Sequence, residues 1–137
     1  MIQRLSHASV FVLDQDEAKK FYTEKLGFEV RSDQSMGTFR WLTVGPKGQP
    51  DLEIILSPIG MGPVSDPETN ATLRKLVEKD SFGIGVYETD DCKKTYEELK
   101  GRGVAFEQAP AERPYGIEAS ARDNSGNWFV IVERPRR

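Results

Sequence analysis

A chain of 137 residues, 37% hydrophobic and 30% charged, fits one globular domain able to bury a real core rather than a disordered tail. Its net charge of -3 is small and of the wrong sign for a nucleic-acid footprint. No apolar run approaches the roughly 20 residues of a membrane span, so neither nucleic acid nor membrane is an expected partner.

The single cysteine rules out an intrachain disulfide. The opening MIQRLSHASV lacks the apolar core of a secretory signal, and a cytoplasmic location is the expectation. The basic stretch from Arg134 to Arg137 is short and reads as a solvated tail.

Leu5 to Val12 alternates, with Ala8, Val10 and Val12 on one face and His7, Ser9 and Phe11 on the other, which predicts a strand. Asp14 is placed to cap a helix, and Asp16 and Glu17 complement the dipole of its first turn. Ala18, Phe21, Tyr22 and Leu26 form its apolar stripe, and Gly27 ends it. Strands follow at Phe28 to Asp33, Phe39 to Val44 and Asp51 to Ser57. In the last of these, Leu52, Ile54 and Leu56 share one face and Glu53, Ile55 and Ser57 the other. The first half is therefore βαβββ.

Pro58 to Pro67 carries three prolines and two glycines and reads as a linker. Asp66 before Pro67 signals a helix start. Pro67 to Lys79 reads either as a short helix burying Leu73, Leu76 and Val77 or as a flap over a cleft.

The second half repeats the order of the first. Phe82 to Thr89 is a strand, Asp90 or Asp91 a cap, and Cys92 to Lys100 a helix with Tyr96 and Leu99 inward. Strands are expected at Val104 to Gln108, Tyr115 to Arg122 and Trp128 to Glu133, the last preceded by the turn Asp123-Asn124-Ser125-Gly126-Asn127. The fold class is α+β, in tandem modules spanning 1–58 and 81–137 with a connection at 59–80.

Strand faces that are apolar must pack on the helices, so the opposite faces line any concavity. That places His7, Phe11, Glu53, Tyr87 and Trp128 toward a cleft. On Tyr115 to Arg122, Ile117, Ala119 and Ala121 face the helices, leaving Glu118, Ser120 and Arg122 on the cleft side. Arg122 could pair with Glu118. Gly83 and Gly85 either leave room in the cleft or mark a bulge or close backbone approach. Trp128 is either core or cleft wall. Cys92, near a helix start without a second thiol or a nearby histidine, reads as inert.

Two βαβββ modules, a histidine in the first strand, Leu-Glu-Ile in the fourth and Arg-Asp-Asn-Ser-Gly-Asn-Trp opening the last resemble the vicinal oxygen chelate superfamily. That is the group of glyoxalase I, the bleomycin- and fosfomycin-resistance proteins and the extradiol dioxygenases. The resemblance spans nearly the whole chain. It implies mixed sheets that curl around a cleft, a homodimer, and one divalent metal ion held by one residue from each of four strands. Two of those positions match, His7 and Glu53. The other two fall at Gly83 and Val130, which offer no ligand.

The resemblance implies a glyoxalase-like protein that binds a small molecule. One form is a divergent lyase or dioxygenase-like enzyme, in which His7, Glu53 and Glu118 bind metal or move protons. The alternative is a metal-free drug- or metabolite-sequestering protein of the bleomycin-resistance type, whose cleft takes an apolar, often cationic ligand. Glu133 is not expected at the site, because the period of two turns it away from Val130.

Overall fold

The computed structural model describes residues 1–61 and 65–135. Gly62, Pro63 and Val64 of the expected linker, and Arg136 and Arg137, lie outside the described residues. The first module runs β1 (His7–Val12), α1 (Gln15–Lys20), β2 (Glu29–Met36), β3 (Phe39–Gly45) and β4 (Glu53–Pro58). Helix α2 (Pro67–Glu78) connects it to β5 (Gly83–Glu88), α3 (Cys92–Gly101), β6 (Ala105–Arg113), β7 (Gly116–Arg122) and β8 (Trp128–Glu133). Each module is a four-stranded mixed sheet, in the orders β1-β4-β3-β2 and β5-β8-β7-β6. The parallel pairs are β1 with β4 and β5 with β8; the others are antiparallel.

The helices start where short polar side chains can take an orphan amide. Asp14, Asp66 and Asp91 accept from the backbone N–H of Glu17, Thr69 and Lys94 respectively. Helix α1 passes into a π-helical turn at Phe21–Lys25, and Gly27 closes it at φ 75°. The connection thus holds a helix, as one of the two sequence readings had it. Only Val77 of its apolar residues is fully buried; Leu76 is 37% exposed, against expectation, because a single face of α2 meets the protein.

Both modules share one core. Ala18, Phe21 and Tyr22 from the first helix meet Cys92 and Leu99 of α3 and the helix-facing residues of both sheets, among them Val12, Leu42, Leu56, Ala119, Phe129 and Ile131. Each fully buried side chain of this size contributes roughly 1.5–3 kcal/mol by leaving water. An aromatic chain crosses the boundary between the modules. Tyr22 lies 5.8 Å from Phe28, Phe28 lies 5.4 Å from Tyr87, and Tyr87 lies 5.5 Å from Phe129.

The turn from Asp123 to Asn127 ties the modules together through polar contacts. Tyr22 donates to Asp123 Oδ2 at 2.8 Å, the Leu13 amide donates to Ser125 Oγ at 3.0 Å, and Asn127 Nδ2 donates to the Phe11 carbonyl at 2.7 Å. Asp123 Oδ1 accepts the amides of Ser125, Gly126 and Asn127 at 2.9, 3.0 and 3.0 Å. Gly126 has φ 115°, and a Cβ there would sit 2.5 Å from the Val77 carbonyl, so the turn also seats the end of α2.

One irregularity decides which side chains reach the open face of the second sheet. The β5–β8 register shifts between Gly83 and Gly85, and Gly85 sits at φ 148°. This bulge reverses the alternation along the rest of β5. Tyr87 turns to the helix side, against Phe28 and Phe129, instead of facing the cleft as simple alternation predicts. Val86, 64% exposed, and Glu88 take the open face in its place.

Candidate functional site

The open face of the first sheet carries a chain of four polar side chains. Parallel pairing puts His7 opposite Glu53, and His7 Nε2 lies 3.2 Å from Glu53 Oε2. Glu53 Oε1 accepts from Thr43 Oγ1 at 2.7 Å, and Ser6 Oγ lies 2.9 Å from His7 Nδ1. Thr43 is buried, while the His7 and Glu53 side chains are 38% and 31% exposed. The Trp41 ring is tilted against the imidazole at 6.0 Å. The sequence brought His7 and Glu53 into view but missed Ser6, Trp41 and Thr43. Alternation along Phe39 to Val44 could have found the last two, since Thr43 pairs with Ile55 and so shares the face of Glu53.

Glu118 stands apart from this group. It accepts from Arg113 Nε at 3.0 Å, and hydrogen bonding to Glu118 raises the Tyr115 phenol above its ordinary pKa. Glu118, Glu88, Val86, Tyr115, Val130, Val132 and Arg134 line an open hollow of about 580 Å3, in which Arg134 Nε lies 3.8 Å from Glu88 Oε1. A smaller hollow of about 370 Å3 shares Glu88 and Arg134 and is walled by Thr89, Asp90 and Glu133, residues that are all polar or charged.

Arg122 pairs with neither Glu118 nor the first sheet. It binds Asp80 Oδ2 at 2.8 Å and Glu107 Oε1 at 2.6 Å, and its cross-strand neighbour is Trp128. The Trp128 indole, 41% exposed, lies over Gly83 so closely that a Cβ at Gly83 would overlap the ring. Gly83 is therefore a close-approach glycine. Phe11 packs edge-on against Phe82 at 6.1 Å, at the boundary between the sheets. Glu133 turns away as expected, and its Oε1 accepts the Cys92 amide at 2.9 Å at the start of α3. Cys92 is buried, and burial pushes its thiol pKa up, which keeps it protonated and unreactive.

These residues do not fit a resident divalent metal. Among the described residues no three His, Cys, Asp or Glu side chains are grouped as ligands. His7 and Glu53 are in contact at 3.2 Å, His7 is hydrogen-bonded to Ser6, and Glu53 to Thr43. The third and fourth strand positions are a glycine beneath an indole and Val130, neither of which donates an electron pair.

A model of the Glyoxalase/Bleomycin resistance protein/Dioxygenase superfamily matches residues 4–131. The uncharacterized protein YurT of Bacillus subtilis (strain 168) is 35% identical over 127 residues, which is 92% of this chain and 95% of YurT. YetH of the same organism, also uncharacterized, is 33% identical over 134 residues, 97% of this chain and 100% of YetH. Among solved structures, UcmS2 superposes with a TM-score of 0.92 at 51% identity, covering 97% of this chain and 99% of UcmS2. TnmS3, an antibiotic binding protein from Streptomyces sp. CB03234, superposes with a TM-score of 0.77 at 31% identity, covering 98% of each chain. Among the described residues no helix is long and apolar enough to cross a membrane.

Proposed function

Because the chain belongs to the glyoxalase/bleomycin resistance protein/dioxygenase superfamily, we propose that it is a metal-free binder that sequesters a small organic molecule in the cytoplasm. The observation that carries this reading is the hollow on the second sheet. It is lined by the apolar Val86, Val130 and Val132, by Tyr115, and by the charged Glu88, Glu118 and Arg134. A volume of about 580 Å3 is within the range that takes a drug-sized ligand. An apolar lining beside two carboxylates, Glu118 shared with Arg113 at 3.0 Å and Glu88 with Arg134 at 3.8 Å, suits a flat aromatic body whose protonated amine competes with the arginines for those carboxylates. The likeness to TnmS3, an antibiotic binding protein, supports a small organic molecule as the ligand. Glu118 is then a ligand-binding residue.

The reading extends to assembly. Val86, Tyr115 and Trp128 are 64%, 54% and 41% exposed, more apolar surface than a monomer's working face needs. A homodimer in which a second copy closes over the ligand accounts for it, and sedimentation equilibrium is expected to give the mass of two chains.

Quenching of tryptophan fluorescence tests the binding reading, with proflavine as a cationic fused-ring probe and acridone as its neutral counterpart. Proflavine is expected to bind at least tenfold more tightly, about 1.4 kcal/mol, and a chelator should leave its affinity unchanged. Glu118→Gln should erase most of the preference, and Val130→Arg should abolish binding of both probes. Equal affinities would remove the carboxylates' role. Full binding by Val130→Arg would move the ligand away from this hollow altogether.

A further inference from the structure

We propose that Ser6, His7 and Glu53 form an acyl-transfer site on the first sheet, separate from the ligand hollow, which hydrolyses aryl esters through an acyl-Ser6 intermediate. The assignment begins with hydrogen-bond directions. The Glu53 carboxylate oxygen 3.2 Å from Nε2 repels a lone pair on that nitrogen, which favours the tautomer with the proton on Nε2. A neutral imidazole then has a bare Nδ1, which can only accept. Ser6 Oγ, 2.9 Å from Nδ1, must therefore donate to it. A hydroxyl bonded to the free nitrogen of an imidazole, with a carboxylate in contact with the other nitrogen, is the arrangement that activates a serine nucleophile.

The rest of the site supports the same chemistry. Thr43, buried and donating to Glu53 Oε1 at 2.7 Å, fixes the carboxylate and so the imidazole. Trp41, 6.0 Å from the ring, gives an aromatic acyl or leaving group a face to lie against. Ser6 precedes β1 rather than lying within it, so it escapes strand alternation and can turn back to the ring of its own neighbour. Glu53 also donates its backbone N–H to the Ser6 carbonyl at 2.9 Å, which holds the serine's main chain to β4.

In the first half-reaction Ser6 Oγ bonds to the acyl carbon and its proton passes to His7 Nδ1. The ester C–O bond breaks, and the proton goes to the departing phenolate. In the second, water adds to the acyl carbon and gives a proton to Nδ1; as the Ser6 Oγ–acyl bond breaks to free the carboxylic acid, Nδ1 passes that proton to Ser6 Oγ and restores the starting site. Water is the only co-reactant, and no electrons change hands. Ser6 and His7 are the catalytic residues; Glu53 and Thr43 position the imidazole.

Incubation of the full chain with p-nitrophenyl acetate, followed by peptide mass mapping, tests this. An acetyl group on the peptide containing Ser6, with a burst of nitrophenolate, is expected. Ser6→Ala should remove both while keeping the circular dichroism spectrum and the proflavine affinity of the parent. His7→Gln should slow acylation about 100-fold or more, in keeping with the loss of a general base. Glu53→Gln should slow it at least tenfold at saturating ester without changing the half-saturating concentration, a split that mere loosening of the sheet would not give. Nitrophenolate release unchanged in Ser6→Ala, or acetyl found only on lysines, would overturn the assignment, as would no acetylation at all.

Discussion

Replacing Asp123 with alanine is expected to cost about 3–5 kcal/mol of stability, the largest loss for any single polar side chain of this protein, read as a fall in Tm of roughly 10–15 °C in a thermal melt. Asp123 is 4% exposed and accepts five hydrogen bonds. Three come from amides of its own turn, one from Asn127 Nδ2 and one from Tyr22 across the module boundary. Alanine leaves four of the five bonds unreplaced in a dry interior, since the Gly126 amide keeps the backbone carbonyl of residue 123 at 3.3 Å, and each unsatisfied donor costs about 1–3 kcal/mol before the turn relaxes. Burial, reinforced by the negative charge of Asp123, raises the Tyr22 phenol well above its ordinary pKa. It therefore stays a donor throughout the usable pH range, and deprotonation cannot relieve the mutant.

Two companion variants separate the network from the mere presence of a polar group. Tyr22→Phe removes one donor and leaves Asp123 with four, so a loss of about 1 kcal/mol is expected. Asp123→Asn keeps an oxygen for the three amides but presents an amide group to Tyr22 and Asn127, so it should fall between the other two. In the double variant Tyr22→Phe with Asp123→Ala, the orphaned phenol is gone, and the two losses should sum to more than the measured total. Strict additivity would show that the phenol and the carboxylate act independently and that the turn is not the clasp between the modules.

This network shows what the sequence made legible and where it stopped. Hydrophobic periodicity and capping residues placed the eight strands and two of the three helices of the described residues and offered the third, α2, as one of two readings, because those signals are local. The turn Asp123 to Asn127 was visible as a turn and as the family's most specific stretch. That its carboxylate reaches Tyr22 from the far half of the chain was not, since no local pattern encodes a partner 101 residues away. On the first sheet, alternation from strand to strand located His7 and Glu53, and parallel pairing brought them face to face. On the second sheet the same rule failed for Tyr87, because one extra residue at Gly83–Gly85 inverts every side chain beyond it. The glycine pair was the available sign of a bulge. Glu118 was correctly placed on the open face, but its partner is Arg113 from a longer β6 than the sequence suggested, while Arg122 is taken by Asp80 and Glu107. Ser6 escaped notice because a residue just outside a strand obeys no alternation.

Gly116→Ala is the second substitution with a large expected effect, and it joins stability to the ligand hollow. Gly116 follows the two-residue turn Pro114–Tyr115 and pairs with Arg113 at the tip of the β6–β7 hairpin. Its φ of 141° is a region that side chains avoid, and a Cβ there would overlap the Glu133 carbonyl oxygen. Neither obstacle is a flexible side chain, so the hairpin must move away from β8. A cost of about 2–4 kcal/mol is expected from the strained backbone together with the displaced strand, measured by urea denaturation. The same shift carries Tyr115 and Glu118 away from Val130 and Val132, because all four line one hollow and the first two belong to the hairpin. Proflavine affinity should therefore drop tenfold or more at temperatures where the variant is still fully folded. Gly101→Ala, in a helix with nothing near its added methyl, is the control and should be neutral or slightly stabilising. If Gly116→Ala lost stability but bound proflavine normally, the hollow would not depend on the hairpin, and the ligand would have to lie against the strands β5 and β8 alone.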